Sequence, residues 1–193
     1  MASVTRNPTV GANVAGIGTQ NWTAMTDLSS DISSQNNSSA HFTNDVGLTS
    51  KWLQATGFGF SITTGATIDG IKVEMWKGAD SACYDNSVKL LQTNTTPLGN
   101  DKADAGTNWF DLTGYAVYGG ATDLWGFSGG TAWTPALINA STFGVAISGV
   151  REVIKNSDDG YVDHIRITVY YTESSSSSSA VKSSSSSSKV GSS

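Results

Sequence analysis

Between Tyr161 and Tyr171 the apolar side chains Ile165, Ile167, Val169 and Tyr171 alternate with His164, Arg166, Thr168 and Tyr170. A period of two sends successive residues to opposite faces of a strand, one face on a core and one toward water. Directly afterwards the chain turns to serine, Ser174 to Ser179, with nothing to bury. The expected protein is an all-β domain that ends in a solvated tail.

The remaining segments repeat the signal in shorter pieces. Trp52, Phe58, Phe60 and Ile62 share one parity, with Gly57 and Gly59 between them. Ile71, Val73 and Met75 share a face of a strand expected over 68–77, and Lys72, Glu74 and Trp76 share the other. Further strands are expected at 88–92, 109–112, 115–118, 124–127 and 143–147. Polar loops are expected at 29–39, 78–86, 93–108 and 150–159, and a turn at Gly65. Pro135 to Asn139 suits one helical turn. No segment carries a ten-residue amphipathic helix, so many short strands imply an antiparallel β-sandwich or a barrel. Long connections between some of them favour a jelly-roll or Greek-key path.

Composition narrows the class further. The chain has 193 residues, and those up to 173 suffice for one core that buries about 70% of the unfolded surface. Six Trp, six Tyr and six Phe supply its bulk, and 21 Gly with only 14% charged residues suit strands joined by tight loops. The net charge is −5. All sixteen acids and nine of the eleven bases lie before residue 174, leaving −7 there. An acidic domain without a Lys/Arg cluster argues against nucleic acid as a partner. Cys83 is the single cysteine, so an intramolecular disulfide and a thiolate metal cluster are excluded. Neither a signal peptide nor a membrane span is legible.

Three regions are expected: an N-terminal extension or early strand over 1–21, a β-sandwich over 22–173, and a disordered tail over 174–193. The tail has a nine-residue period. Six serines and Ala180-Val181-Lys182 are followed by six serines and Lys189-Val190-Gly191, and Ser192-Ser193 open a third copy. Such blocks bury too little to offset chain entropy and read as a spacer. Breaking off inside a repeat reads as a truncated frame or a clipped chain.

Several ordered motifs carry a resemblance. They are Phe58-Gly59-Phe60-Ser61-Ile62, Gly65 to Ile71, Asp85 to Leu90, Asp123-Leu124-Trp125-Gly126, Trp133-Thr134-Pro135, Ile138 to Val145 and Val162 to Tyr171. Over roughly 22–172 they resemble a jelly-roll-like β-sandwich domain family of phage structural and bacterial surface proteins, often found beside Ser-rich tails. Thr63 departs from it, where similar sequences often carry proline. The resemblance implies an accessory or adhesion module and no active site, and it leaves residues 1–20 as a segment to anchor the domain in a larger assembly.

His41 and His164 are the only histidines, and no Gly-x-Ser-x-Gly elbow accompanies them. His164 is expected on the outward face of its strand, with Asp163 opposite. Asp158, Asp159 and Asp163 surround Gly160 as a candidate metal site, with calcium as the ion such an oxygen-rich loop takes. They lack EF-hand order, and a solvated acidic turn is the plainer reading. Asp101 and Asp104 are a weaker candidate of the same kind, and a carboxylate pair of the sort glycoside hydrolysis uses could be drawn from any acidic all-β sequence. Trp109, Tyr115, Tyr118 and Trp133 are the candidate ligand-binding residues, able to stack on sugar rings if exposed and to fill the core if not. Asn-x-Ser/Thr sequons at Asn21, Asn36, Asn37, Asn94 and Asn139 are expected by chance in such a composition.

The expected function is that of a non-enzymatic structural or adhesion protein: a phage virion component in capsid, tail or fibre, or a surface module. Its partners are then other virion or surface proteins and further copies of itself, and its place is the virion or the extracellular surface. The alternative is a carbohydrate-binding sandwich with a glycan ligand, with or without a structural calcium. A hydrolase is the third reading.

Overall fold

The computed structural model describes residues 1–25, 28, 40–43, 48–92, 96–111, 114–127, 133–151 and 159–174. The expected loop over 29–39, residues 152–158 of the expected charged loop, and the serine tail beyond residue 174 lie outside them.

Among the described residues ten strands build two antiparallel sheets. In chain order they are β1 (Ala2–Arg6), β2 (Val10–Val14), β3 (Ala40–Thr43), β4 (Trp52–Thr56), β5 (Thr67–Ala79), β6 (Cys83–Leu91), β7 (Pro97–Leu98), β8 (Tyr115–Gly119), β9 (Gly144–Arg151) and β10 (Asp159–Thr172). One sheet runs β1-β10-β5-β8, with β3 also pairing the first residues of β10. The other runs β2-β4-β9-β6-β7. The expected all-β sandwich is therefore the observed architecture. Residues 2–14 take part in both sheets, because β1 pairs with β10 and β2 with β4.

The alternating strands meet between the sheets. Ile71, Val73 and Met75 of β5 and Ile165, Ile167 and Val169 of β10 face Leu53, Val88, Leu90, Val145 and Ile147 in one buried cluster. Apart from Met75, these positions on β4, β5, β6, β9 and β10 carry β-branched or leucine side chains, which suit a pleated, buried surface.

Several expected elements change character. The loop expected over 78–86 shrinks to Asp80 to Ala82, because β5 continues to Ala79 and β6 begins at Cys83. The stretch reads as polar, yet its Asp85 is buried and joined to the buried Lys77 at the end of the expected strand. Phe58, Phe60 and Ile62 are buried as their parity predicts, but they are not a strand. Gly57 and Gly59 hold φ of 72° and 64°, a left-handed backbone that ends β4 at Thr56. The Asn139 side chain then clamps the segment, donating to the Ile62 carbonyl and accepting from its N–H, both at 2.8 Å. Trp109–Asp111 is a short 3-10 helix rather than a strand. At 124–127 the chain makes a tight turn, closed by the Phe127 N–H on the Leu124 carbonyl at 3.1 Å. Pro135–Asn139 forms α1, capped by Thr134 with proline at its start.

The outer face of the first sheet is less wet than its polarity suggests. Cross-strand register aligns Tyr115, Trp76 and His164 in one row and Val117, Glu74 and Arg166 in the next. His164 is outward by parity but only 2% exposed, since Tyr115 packs against it and its hydroxyl meets Nδ1 at 2.7 Å. Asp163 is not simply opposite: it sits at a β-bulge between Val162 and His164 and is fully buried. In the second row Arg166 grips Glu74 through Nε and Nη2, both at 3.1 Å, while stacking over the Tyr115 ring at 4.2 Å.

Burial opposes the charged form of Glu74, but hydrogen bonds from Arg166 and Lys72 outweigh it and hold the carboxyl below its ordinary 4.5. A lowered folded value means stability that is fully present above pH 4.5 and is lost as pH falls through the folded value. Urea midpoints measured at pH 6 and in decreasing steps below pH 4.5 should show a steeper acid loss for the native chain than for Glu74→Gln. Equal slopes would refute this role.

Candidate functional site

The densest polar chemistry lies between the sheets, not on them. Inward parity along β5 runs Ile71, Val73, Met75 and then Lys77, so the strand's hydrophobic face ends in an ammonium group. β6 supplies Asp85 just before its register shifts, between Asp85 and Ser87. β8 contributes Tyr118, and the 3-10 helix contributes Trp109.

Three of these side chains converge on the carboxylate of the fourth, Asp85. Oδ1 of Asp85 accepts from Lys77 Nζ and from Trp109 Nε1 at 2.9 Å. Oδ2 accepts from the Tyr118 hydroxyl at 2.8 Å and from the Asp104 backbone N–H at 3.0 Å. Lys77 also donates to the Tyr118 oxygen and lies 4.6 Å from the centre of the Trp109 ring. A buried carboxylate with four donors is well satisfied, and a buried ammonium over an indole gains a cation–π contact. Burial still drives the Lys77 ammonium below its ordinary value, a shift that the Asp85 charge only partly offsets. Burial and the same negative charge push the Tyr118 phenol well above 10.0.

The loop before Trp109 is pinned to this cluster. Asp101 accepts from the Val88 N–H at 2.8 Å and from the Ser87 hydroxyl, which ties the loop to β6. The Asp104 carboxylate accepts from the Thr107 hydroxyl at 2.6 Å and the Gly106 N–H at 3.0 Å, and these bonds keep it below its ordinary value. Between this loop and β8 opens a cleft of about 310 Å³, lined by Lys77, Lys102, Asp104, Thr107 and residues 116–119. Val117 stands at its edge and is 57% exposed. Lys102 is paired with Asp123 at 2.6 Å.

The four aromatic candidates separate into three places. Trp109 and Tyr118 meet at Asp85, but Trp109 is only 1% exposed and offers no free ring face. Tyr115 belongs to the outer row with Trp76 and His164, because three residues along a strand reverse the face. Trp133 is 4% exposed, edge-on to Phe127 and Phe143, with its N–H on the Leu124 carbonyl at 3.1 Å. Of the acidic candidates, Asp158 lies outside the described residues. The Asp159 N–H donates to the Asp80 carboxylate at 3.1 Å, while Asp163 is buried in the bulge. Among the described residues there is no cluster of three His, Cys, Asp or Glu side chains suited to hold a metal ion. His41 bonds Thr23, and among the described residues no helix is long and apolar enough to cross a membrane.

Lys77 and Asp85 carried no sequence signal as a site, since a charge eight residues from another is ordinary. The inward parity of Lys77 with Ile71, Val73 and Met75 was the one available clue.

Cys83 begins β6 beside this cluster. Burial is the main reason that its thiol is pushed up from 9.0 to about 12. Only the thiolate reacts, so at pH 8 the native protein should label at least about 10³-fold more slowly than the unfolded chain. A thiol-reactive dye added with and without denaturant checks this. The same shift makes native stability fall as pH rises from 9.0 toward 12, because the unfolded thiol loses its proton first.

Fold and site together define a two-sheet antiparallel sandwich with a buried ion cluster beneath a small cleft. The chain matches no family model, no curated protein and no solved structure.

Proposed function

We propose that this chain is a non-enzymatic structural or adhesion module, of the kind that decorates a virion or a cell surface. One observation carries the reading. The ionisable groups nearest the cleft are spent on one another, with the Asp85 carboxylate accepting from Lys77, Trp109, Tyr118 and the Asp104 backbone. They join β5, β6, β8 and the connecting loop rather than aiming at a substrate.

The strand orders support a jelly-roll path. β1-β10-β5-β8 faces β4-β9-β6-β7, the two interleaved four-strand sets of that topology, with β2 added beside β4. Jelly rolls serve capsid proteins and lectins alike, so the fold alone does not choose. On the structural reading the partners are other virion or surface proteins and further copies of the chain. Negative-stain images of particles assembled with and without the protein test it. A strictly monomeric protein that never associates with particles or surfaces would end this reading.

A glycan-binding role is favoured by a different observation, the 310 Å³ cleft with Lys102, Asp104 and Thr107 on its walls. That volume suits one small polar ligand. Trp109→Ala and Trp133→Ala do not probe it, because both rings are buried and their loss would disturb the core. A glycan array read against Thr107→Ala and Val117→Asp does. Binding unchanged by both substitutions would remove the cleft from consideration.

A further inference from the structure

We propose that Lys77 and Asp85 condense into an intramolecular amide that ties β5 to β6 across the two sheets. The two side chains are in direct contact in a site that excludes bulk water, Lys77 Nζ against Asp85 Oδ1, with their carbon stems fixed in facing strands. Holding two reactants so closely turns a bimolecular condensation into an internal one.

The surrounding groups fit the steps. The Tyr118 oxygen accepts from Lys77 Nζ while its own proton points at Asp85 Oδ2. A proton passed along this line converts ammonium and carboxylate into amine and carboxylic acid. The Nζ lone pair then attacks Cγ, and the Nζ–Cγ bond forms. Charge developing on Oδ1 is held by the Trp109 Nε1–H, 2.9 Å away. A second proton follows the same route to Oδ2, the Cγ–Oδ2 bond breaks, and water departs. In sum the ammonium loses two protons, the departing oxygen takes both, and no redox partner is involved. The cleft lined by Lys77, Asp104 and Tyr118 gives that water an exit. Burial already favours the neutral amine at Lys77. Condensation also removes two charges from a site where desolvation works against them. The inference does not depend on what the domain binds.

Mass spectrometry of the purified full chain decides it. The expected result is an intact mass lighter by one water than the sequence requires. After denaturation and trypsin digestion, cleavage should occur after Lys72 and Lys89 but not after Lys77, giving one peptide, residues 73–89, that is short of one water. Full mass with normal cleavage at Lys77 overturns the proposal. Loss of water with Lys77 still cleavable also overturns it, because a succinimide at Asp85-Asn86 then accounts for the loss. Lys77→Arg must restore the full mass. Tyr118→Phe keeps the ring in place, and circular dichroism verifies its fold. It should link about 10²-fold more slowly than the native chain. Linking at the native rate in that variant would refute the proton relay.

Discussion

Asp85→Ala is expected to destabilise the domain by at least about 3–5 kcal/mol, the range for leaving one partner of a buried ion pair alone. The substitution leaves Lys77 between the sheets without its carboxylate, and it leaves the Trp109 N–H, the Tyr118 hydroxyl and the Asp104 N–H without their acceptor. For a domain of this size the melting temperature should fall by roughly 10 °C or more. Lys77→Met is the informative comparison. Asp85 then keeps three donors, and a flexible apolar chain occupies the place of the lysine stem. Its loss should be the smaller of the two. Urea unfolding followed by tryptophan fluorescence measures both. An Asp85→Ala loss below about 1 kcal/mol would show that the cluster is not the tie between sheets inferred from its contacts.

Trp125→Ala should have an effect of similar size, about 3–5 kcal/mol, but through packing. The Trp125 ring is fully buried, its N–H donates to the Ile71 carbonyl at 2.9 Å, and Lys102 lies 5.9 Å from its centre. It also holds a φ of 57°, unusual for a residue with a Cβ. The turn is kept there by the Asn100 N–H on the Trp125 carbonyl and by Asp123, which accepts from the Trp125 N–H, both at 2.8 Å. Gly119, at φ 69°, lets the indole lie close, since a Cβ there would stand 2.5 Å from Nε1. The backbone strain gives a sharper test than the size of the loss. Trp125→Gly should be more stable than Trp125→Ala by up to about 1 kcal/mol, because glycine takes positive φ without penalty. In ordinary strand or helix positions the order is reversed. Thermal unfolding of the two variants side by side would show which holds.

How far the residues announced this structure depends on what kind of contact each one makes. Ile165, Ile167 and Val169 declared an inward face because alternation is a local property, and β10 lies where that pattern runs. Ile71, Val73 and Met75 did the same for β5. Phe58, Phe60 and Ile62 declared burial correctly but not conformation. Period two survived in a segment whose glycines had left the strand region of backbone space. Leu124 to Phe127 shows the opposite case: apolar residues in a row suggested a strand, whereas Trp125 turns the chain and buries its ring.

The site was the least legible part. Polar residues between Gly78 and Asn86 read as a solvated loop, since a charge in isolation prefers water. Only their partners make burial tolerable, and those partners arrive from β8 and from the loop ending at Trp109. Similarly, the sequence leaves Trp109 and Trp133 open to stacking on a ligand or filling the core, and the fold buries both rings.

Local order along the chain was thus sufficient for the all-β class, the antiparallel pairing and the inward faces of β5 and β10, because side-chain parity belongs to a strand on its own. Which strands face one another, and hence that Lys77, Asp85, Tyr118 and Trp109 share one buried point, was settled only by the packing of the two sheets. The physical reason is that a hydrogen bond between residues 33 positions apart, such as Tyr118 to Asp85, depends on where separate strands dock. No local preference of either residue encodes that.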